Sequence, residues 1–263
     1  MLNFRSTNII FAGLLLLMVL MSRQIQVPAL FYFLWMGAYL LILFYGCYCI
    51  ASGFFMPVVC KAPNSLKRIA ISFDDGPAEH TSAILKILSD YQVKATFFCI
   101  GKNIEQNAAT LQKLYQAGHL IGNHSYSHTI AFDFWSKKKV QQDLQRTHEL
   151  IKQITGRDVC WFRPPFGVIN PSIARAVRGL NYTTIGWSIR SLDTVVKERD
   201  VLLKRVQIRL HPGAVILFHD ICKVTVDLLP VFIAYTLNEG YEIVPMDKLL
   251  NLPAYADERF IQD

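Results

Sequence analysis

The pattern of apolar and polar positions divides the chain into two unlike parts. Two long apolar stretches, residues 8–22 and 27–51, come first, with a short polar segment between them. At about 1.5 Å per helical residue the first run, Asn8–Met21, covers about 21 Å, short of a hydrocarbon layer of roughly 30 Å. The second is long enough to cross with some tilt, and aromatic residues crowd its start, as interface anchors do. These stretches predict a helical hairpin, or one span preceded by an interfacial helix. Met21-Ser22-Arg23 offers no convincing small-residue cleavage site, which argues against a removed signal peptide.

From Lys67 onward short apolar runs alternate with amphipathic ones. Strands are predicted over 68–73, 93–100, 119–123, 158–163, 181–189, 214–219 and 241–246. Helices are predicted over 79–91, 103–117, 137–155, 171–179, 198–210 and 223–238. Gly118 and Gly156 stand just past two of these helices, where a glycine ends a helix most easily. Such alternation gives parallel strands with crossover helices, in a barrel or a doubly wound sheet. The division expected is a membrane segment with its linker over residues 1–60 and a soluble domain over 61–263.

Charge sharpens that division. Of 27 basic and 20 acidic side chains, only Arg5 and Arg23 precede residue 61, so the rest of the chain carries a surplus of five positive charges. The surplus is spread along the chain without basic clusters. It suits an anionic surface or envelope polymer and gives no support for nucleic acid as a partner. Lys61, Lys67 and Arg68 follow the second stretch, against Arg23 alone between the two. Taken literally, that bias places the domain on the cytoplasmic side. The six cysteines show neither paired nor metal-type spacing and read as free thiols.

The candidate chemistry falls at the predicted strand ends. Asp74-Asp75 follow the first strand in FDDGP, His124 and His128 the third in HSYSH, and Arg163 the fourth in RPPFG. Asp193 follows the fifth, and His219-Asp220 the sixth in LFHD. In βα folds the carboxyl ends of the strands form one rim, and that rim carries the active site. Histidines at i and i+4 share a face on a turn of helix and can hold one metal, although HxxxH alone is a weak signal. A carboxylate from another strand end strengthens it, since two His and one Asp leave positions open for water and substrate. One of the adjacent aspartates would then ligate while the other acts as a base.

Taken together and in order, FDDGP, HSYSH, RPPFG, the Asp of WSIRSLDT and LFHD resemble the polysaccharide deacetylase family, also called the NodB-homology or carbohydrate esterase family 4 domain, over about Lys67 to Leu250. The resemblance implies a distorted (β/α) barrel of about seven strands behind the membrane-anchoring segment. It implies Asp74 as catalytic base and Asp75, His124 and His128 as ligands of a divalent metal, most commonly Zn2+, with Co2+ or another ion possible. Arg163 would orient Asp74, and the Phe166 N–H would stabilise the oxyanion. His219 would be the general acid and Asp193 its tether, with Leu217 lining the acetyl pocket. The chain departs from the common pattern at Arg190 and Thr194, where many members carry Asp and Trp, and this puts substrate preference in doubt more than chemistry. His80, His119, His148 and His211 read as surface or rim residues, and Trp161 and Trp187 as core.

The function these residues imply is N-deacetylation of an N-acetylhexosamine glycan, peptidoglycan or chitin-like, by an enzyme anchored in the lipid bilayer with its domain outside the cytoplasm. Deacylation of a lipid-linked sugar is the alternative that the charge bias favours. A non-catalytic glycan-binding protein on the same scaffold would lack one of Asp74, Asp75 or His219, and all three are present. An iron oxygenase would need neither the second aspartate nor the LFHD histidine.

Overall fold

The run RIAISFD is apolar or β-branched at most positions, and from Ile69 onward every side chain in it is buried. A strand covered on both faces belongs at the centre of a parallel sheet. In the computed structural model, which describes residues 3–63 and 66–260, β1 (Arg68–Asp74) takes that place. Ahead of it lie α1 (Phe4–Met21) and α2 (Ala29–Tyr48). After it come α3 (Thr81–Asp90), β2 (Thr96–Cys99), α4 (Gly101–Gln106), α5 (Ala108–Gln116), β3 (Leu120–Asn123) and α6 (Lys137–Thr155). The chain continues through β4 (Trp161–Phe162), α7 (Pro171–Gly179), β5 (Thr183–Thr184), β6 (Ile189–Arg190) and α8 (Arg199–Gln207). It closes with β7 (Val215–His219), α9 (Lys223–Asn238), β8 (Glu242–Ile243) and α10 (Met246–Leu250).

The strands lie in the order β5-β4-β3-β2-β1-β7-β6, with β8 beside the first half of β1, and all pairings are parallel. Only residues 185–188 separate β5 from β6, yet the two sit at opposite edges. The sheet therefore curls back on itself into a distorted (β/α) barrel. Its seam is filled by the chain arriving from α2. The Val59 N–H donates to the Thr184 carbonyl (3.0 Å), the Gly186 N–H to the Val59 carbonyl (2.8 Å), and Ala62 to Gly213 (2.9 Å). The linker expected after the second apolar stretch is in its described part bonded into the barrel, because the free edge of β5 and the backbone just before β7 leave groups that need partners.

Three expected elements are broken, each for a local reason. The helix expected over 103–117 splits at Asn107, whose side chain bonds the Pro77 and Asn103 carbonyls instead of leaving the backbone to continue. The strand expected over 181–189 divides around Gly186, where a side chain would strike Cys60, Val58 and Ile50. The last strand stops at Ile243, and Pro245 caps α10.

The two N-terminal helices run antiparallel. Trp35 donates from Nε1 to the Phe11 carbonyl (3.0 Å), and Tyr39 donates its hydroxyl proton to Asn8 Oδ1 (2.8 Å). The first helix starts earlier than expected, because Asn3 caps it by accepting from the Ser6 N–H. Its 18 residues and the 20 of α2 make both helices long and apolar enough to cross a membrane. Both meet the domain at the same end: the Phe4 N–H donates to the Phe54 carbonyl (2.9 Å), and the Ile169 N–H to the Cys47 carbonyl (3.1 Å).

Candidate active site

β1 ends on Asp74, whose register partners are Phe98 on β2 and His219 on β7. Asp74 is nearly buried, and Arg163 Nη1 donates to its Oδ1 at 2.7 Å. That guanidinium is itself fully buried. It also donates to Ser72 Oγ and to the Ile185 and Gly186 carbonyls, and lies 4.0 Å from the centre of the Phe98 ring. An arginine with four hydrogen bonds made inside the protein is held in place, and so is the carboxylate it grips.

Asp75 leaves the strand in the left-handed region (φ 77°). Its Oδ1 lies 3.5 Å from His124 Nε2 and 3.4 Å from His128 Nε2. His124 directs Nδ1 to the Arg163 carbonyl (2.8 Å). A carbonyl only accepts, so Nδ1 carries a proton and Nε2 is the nitrogen that faces Asp75. The expected turn of helix in HSYSH is absent. Ser125 and His128 take positive φ (67° and 45°), and the loop is held by the Ser125 N–H donating to Asn123 Oδ1 and the His128 N–H donating to Ser125 Oγ. The ligand atoms of Asp75, His124 and His128 all lie within 4.8 Å of one another. Two imidazole nitrogens and one carboxylate oxygen so close together fit a divalent ion with coordination positions left over.

Electrostatics follow the same division. Burial works to raise the Asp75 carboxyl, but the hydrogen bond and charge of His124, with His128 and His219, bring it down to about 2. Burial, with the charge of His124, pushes His128 down to about 4. Burial also opposes charge on His219, yet the hydrogen bond and charge of Asp193 outweigh it and raise its pKa. Asp193 is wholly buried. It accepts from His219 Nδ1 (2.7 Å), the His219 N–H (2.7 Å), Ser191 Oγ (2.9 Å) and Thr225 Oγ1 (2.6 Å).

A cleft of about 240 Å³ joins these groups; Asp74, Asp75, His124, His128, Phe166, Leu217 and His219 all line it. Arg163 and Asp193 stand behind it. Phe166 adopts φ 57°, and its ring lies 4.7 Å from that of His128. A larger open cavity of about 630 Å³ lies between the start of α1 and residues 51–58, and none of these site residues lines it.

A family model for polysaccharide deacetylase matches residues 61–185. An uncharacterised 30.6 kDa protein of Geobacillus stearothermophilus is 30% identical over 71% of this chain and 72% of its own length. The chain belongs to the polysaccharide deacetylase family. The peptidoglycan-N-acetylglucosamine deacetylase PgdA of Listeria monocytogenes is 33% identical over 74% of this chain, which spans only 41% of that relative. The crystal structure of another peptidoglycan N-acetylglucosamine deacetylase superposes with a TM-score of 0.71 at 27% identity, covering 75% of this chain and 94% of its own.

Within this deacetylase fold some sequence expectations shift. Trp187 lines the cleft as well as packing, partly buried, against the core, whereas Trp161 is fully buried. His119 is buried and accepts from the Ala95 N–H, and His148 bonds Tyr182 and Asp158, so neither is a free surface group. Asp220 does not line the cleft. It is buried beneath Gly76, accepts from Thr81 Oγ1, and burial lifts its carboxyl to about 7. The supporting hydroxyls of Ser72, Ser191 and Thr225 carry no signal in the sequence; only the contacts single them out.

Proposed function

We propose that the protein is a metal-dependent N-deacetylase of an N-acetylhexosamine glycan, peptidoglycan or chitin-like, held at a membrane by α1 and α2 with its domain outside the cytoplasm. The observation that carries the reading is the meeting, in one cleft, of a three-ligand donor set with an Asp–Arg pair on one side and an Asp–His pair on the other. A zinc or cobalt ion held by Asp75, His124 and His128 would supply Lewis-acid activation of water and of the amide carbonyl.

The chain's own residues supply the rest. Asp74, kept in place by Arg163, takes a proton from the attacking water as the new C–O bond forms. Negative charge on the carbonyl oxygen is met by the Phe166 N–H, and Leu217 packs on the acetyl methyl. His219, held protonated by Asp193, gives its proton to the nitrogen as the C–N bond breaks, leaving acetate and an amino sugar. The raised pKa of His219 suits an acid that must protonate a poor leaving group.

The test uses the full chain in detergent, stripped of metal and resupplied with zinc or cobalt. Acetate release from N-acetylglucosamine oligomers and from peptidoglycan should return with metal and vanish in Asp74→Asn and His219→Ala. Tight metal binding with no release would sink the reading. One observation favours a second substrate, a lipid-linked sugar: the Ile169 N–H, two residues past the cleft-lining Gly167, is bonded to the end of α2. A cleft held that close to a bilayer meets lipid-carried sugars first. An alkaline phosphatase fusion at Asp263 that is active would locate the domain outside the cytoplasm.

A further inference from the structure

The wall of the cleft formed by β6 and the loop after it carries one cation, Arg190. Arg68, Arg146, Arg157, Arg163 and Arg199 each form an ion pair; Arg190 forms none among the described residues. Its side chain nevertheless lines the cleft, in register with Leu217, with the guanidinium 5.9 Å from the centre of the Trp187 ring. Burial, then the charges of Arg209 and Arg190, depress the pKa of Arg205. Its Nε is occupied by the Ser191 carbonyl (2.9 Å). Lys197 caps the Thr194 carbonyl (2.8 Å). The acid of this stretch, Asp193, faces the other way and is spent on His219. Thr194, a small residue, lines the same cleft.

An exposed cation beside an indole, without a carboxylate partner, in the lining of a binding cleft is a recognition element for an anion. Resting on the deacetylase reading above, we propose that Arg190 is a specificity-determining residue that binds an anionic group on the substrate beside the scissile acetamide. The substrate class is then an acidic acetamido sugar. Its oxyanion is a carboxylate borne by the sugar or a phosphate ester attached to it; a guanidinium grips either in the same two-pronged way.

The experiment compares zinc-loaded full-length protein with Arg190→Gln and Arg190→Lys on four probes. These are a neutral N-acetylglucosamine oligomer, a glycan bearing free muramic carboxylates, the same glycan with those carboxylates methyl-esterified, and an N-acetylglucosaminyl phosphate. At low salt the ratio of KM for neutral to anionic probe should fall about tenfold in Arg190→Gln, with kcat held within about twofold. Arg190→Lys should keep most of the preference, and half-molar salt should erase it in the wild type. Whichever anionic probe shows the effect names the source of the charge. An unchanged ratio, or a loss shared equally by neutral and esterified probes, overturns the proposal while leaving the deacetylase reading intact. If the wild type releases acetate from none of the probes, that reading fails instead. Equilibrium binding of the same probes then still decides the role of Arg190, because only anionic ones should bind less tightly to Arg190→Gln.

Discussion

Asp74 and Asp75 are chemically identical neighbours, and their surroundings give them different work. Arg163 grips the first, and two imidazoles face the second. Removing Arg163 leaves a carboxylate buried without its cation, so Arg163→Ala should cost about 3–5 kcal/mol of stability, read as a lowered melting temperature. His219 makes a prediction in pH. Its raised pKa keeps the acid form populated above the ordinary histidine range, so stability from the Asp193 pair is complete below about pH 6.5 and is lost as pH rises through the folded value. Asp193→Asn should bring the alkaline limb of the kcat profile to lower pH; a limb that stays put would mean another group sets it. At this scale the sequence was most legible. The chemistry needs particular residue types, and FDDGP, HSYSH and LFHD display them side by side. The second face of Trp187, which lines the cleft while the residue packs on the core, leaves no mark in the sequence, because apolar residues look alike in either setting.

Elements were legible where one physical signal dominated. The helix expected over 137–155 matches α6, because Ser136 caps one end and Gly156, in the left-handed conformation, ends the other. Strands were placed correctly and drawn too long: β4 and β5 keep two paired residues each, since pairing depends on neighbours that periodicity cannot reveal. HSYSH failed as a helix for a related reason. Spacing of i and i+4 brings two rings together in a helix, but a loop pinned through Ser125 does so as well. The split at Gly186 can be checked directly. Gly186→Ala would set a methyl carbon 2.6 Å from Cys60 Sγ and 3.1 Å from Val58. Overpacking of that kind should cost about 1–3 kcal/mol and lower activity through Arg163, which bonds the Gly186 carbonyl.

For the whole molecule, the proposed metal would be linked to the fold. An ion that binds the folded site alone stabilises it by about 2.7 kcal/mol at a hundredfold excess over its dissociation constant. A chelator should therefore lower the melting temperature of the wild type and leave that of Asp75→Asn almost unmoved. The feature that sequence patterning missed altogether is the seam, because Val59 offers nothing to distinguish a barrel strand from a tether. Its bonds run to Thr184 and Gly186, Gly186 holds Arg163, and Arg163 holds Asp74. A protease that clips a membrane protein at its stalk ordinarily sheds a working domain. Here a cut after Phe55 would leave the seam filled, whereas a cut after Cys60 would carry Val59 away with the hairpin. We expect the first fragment to deacetylate in solution and the second to melt lower and turn over slowly, so this protein has almost no stalk at which it could be shed alive.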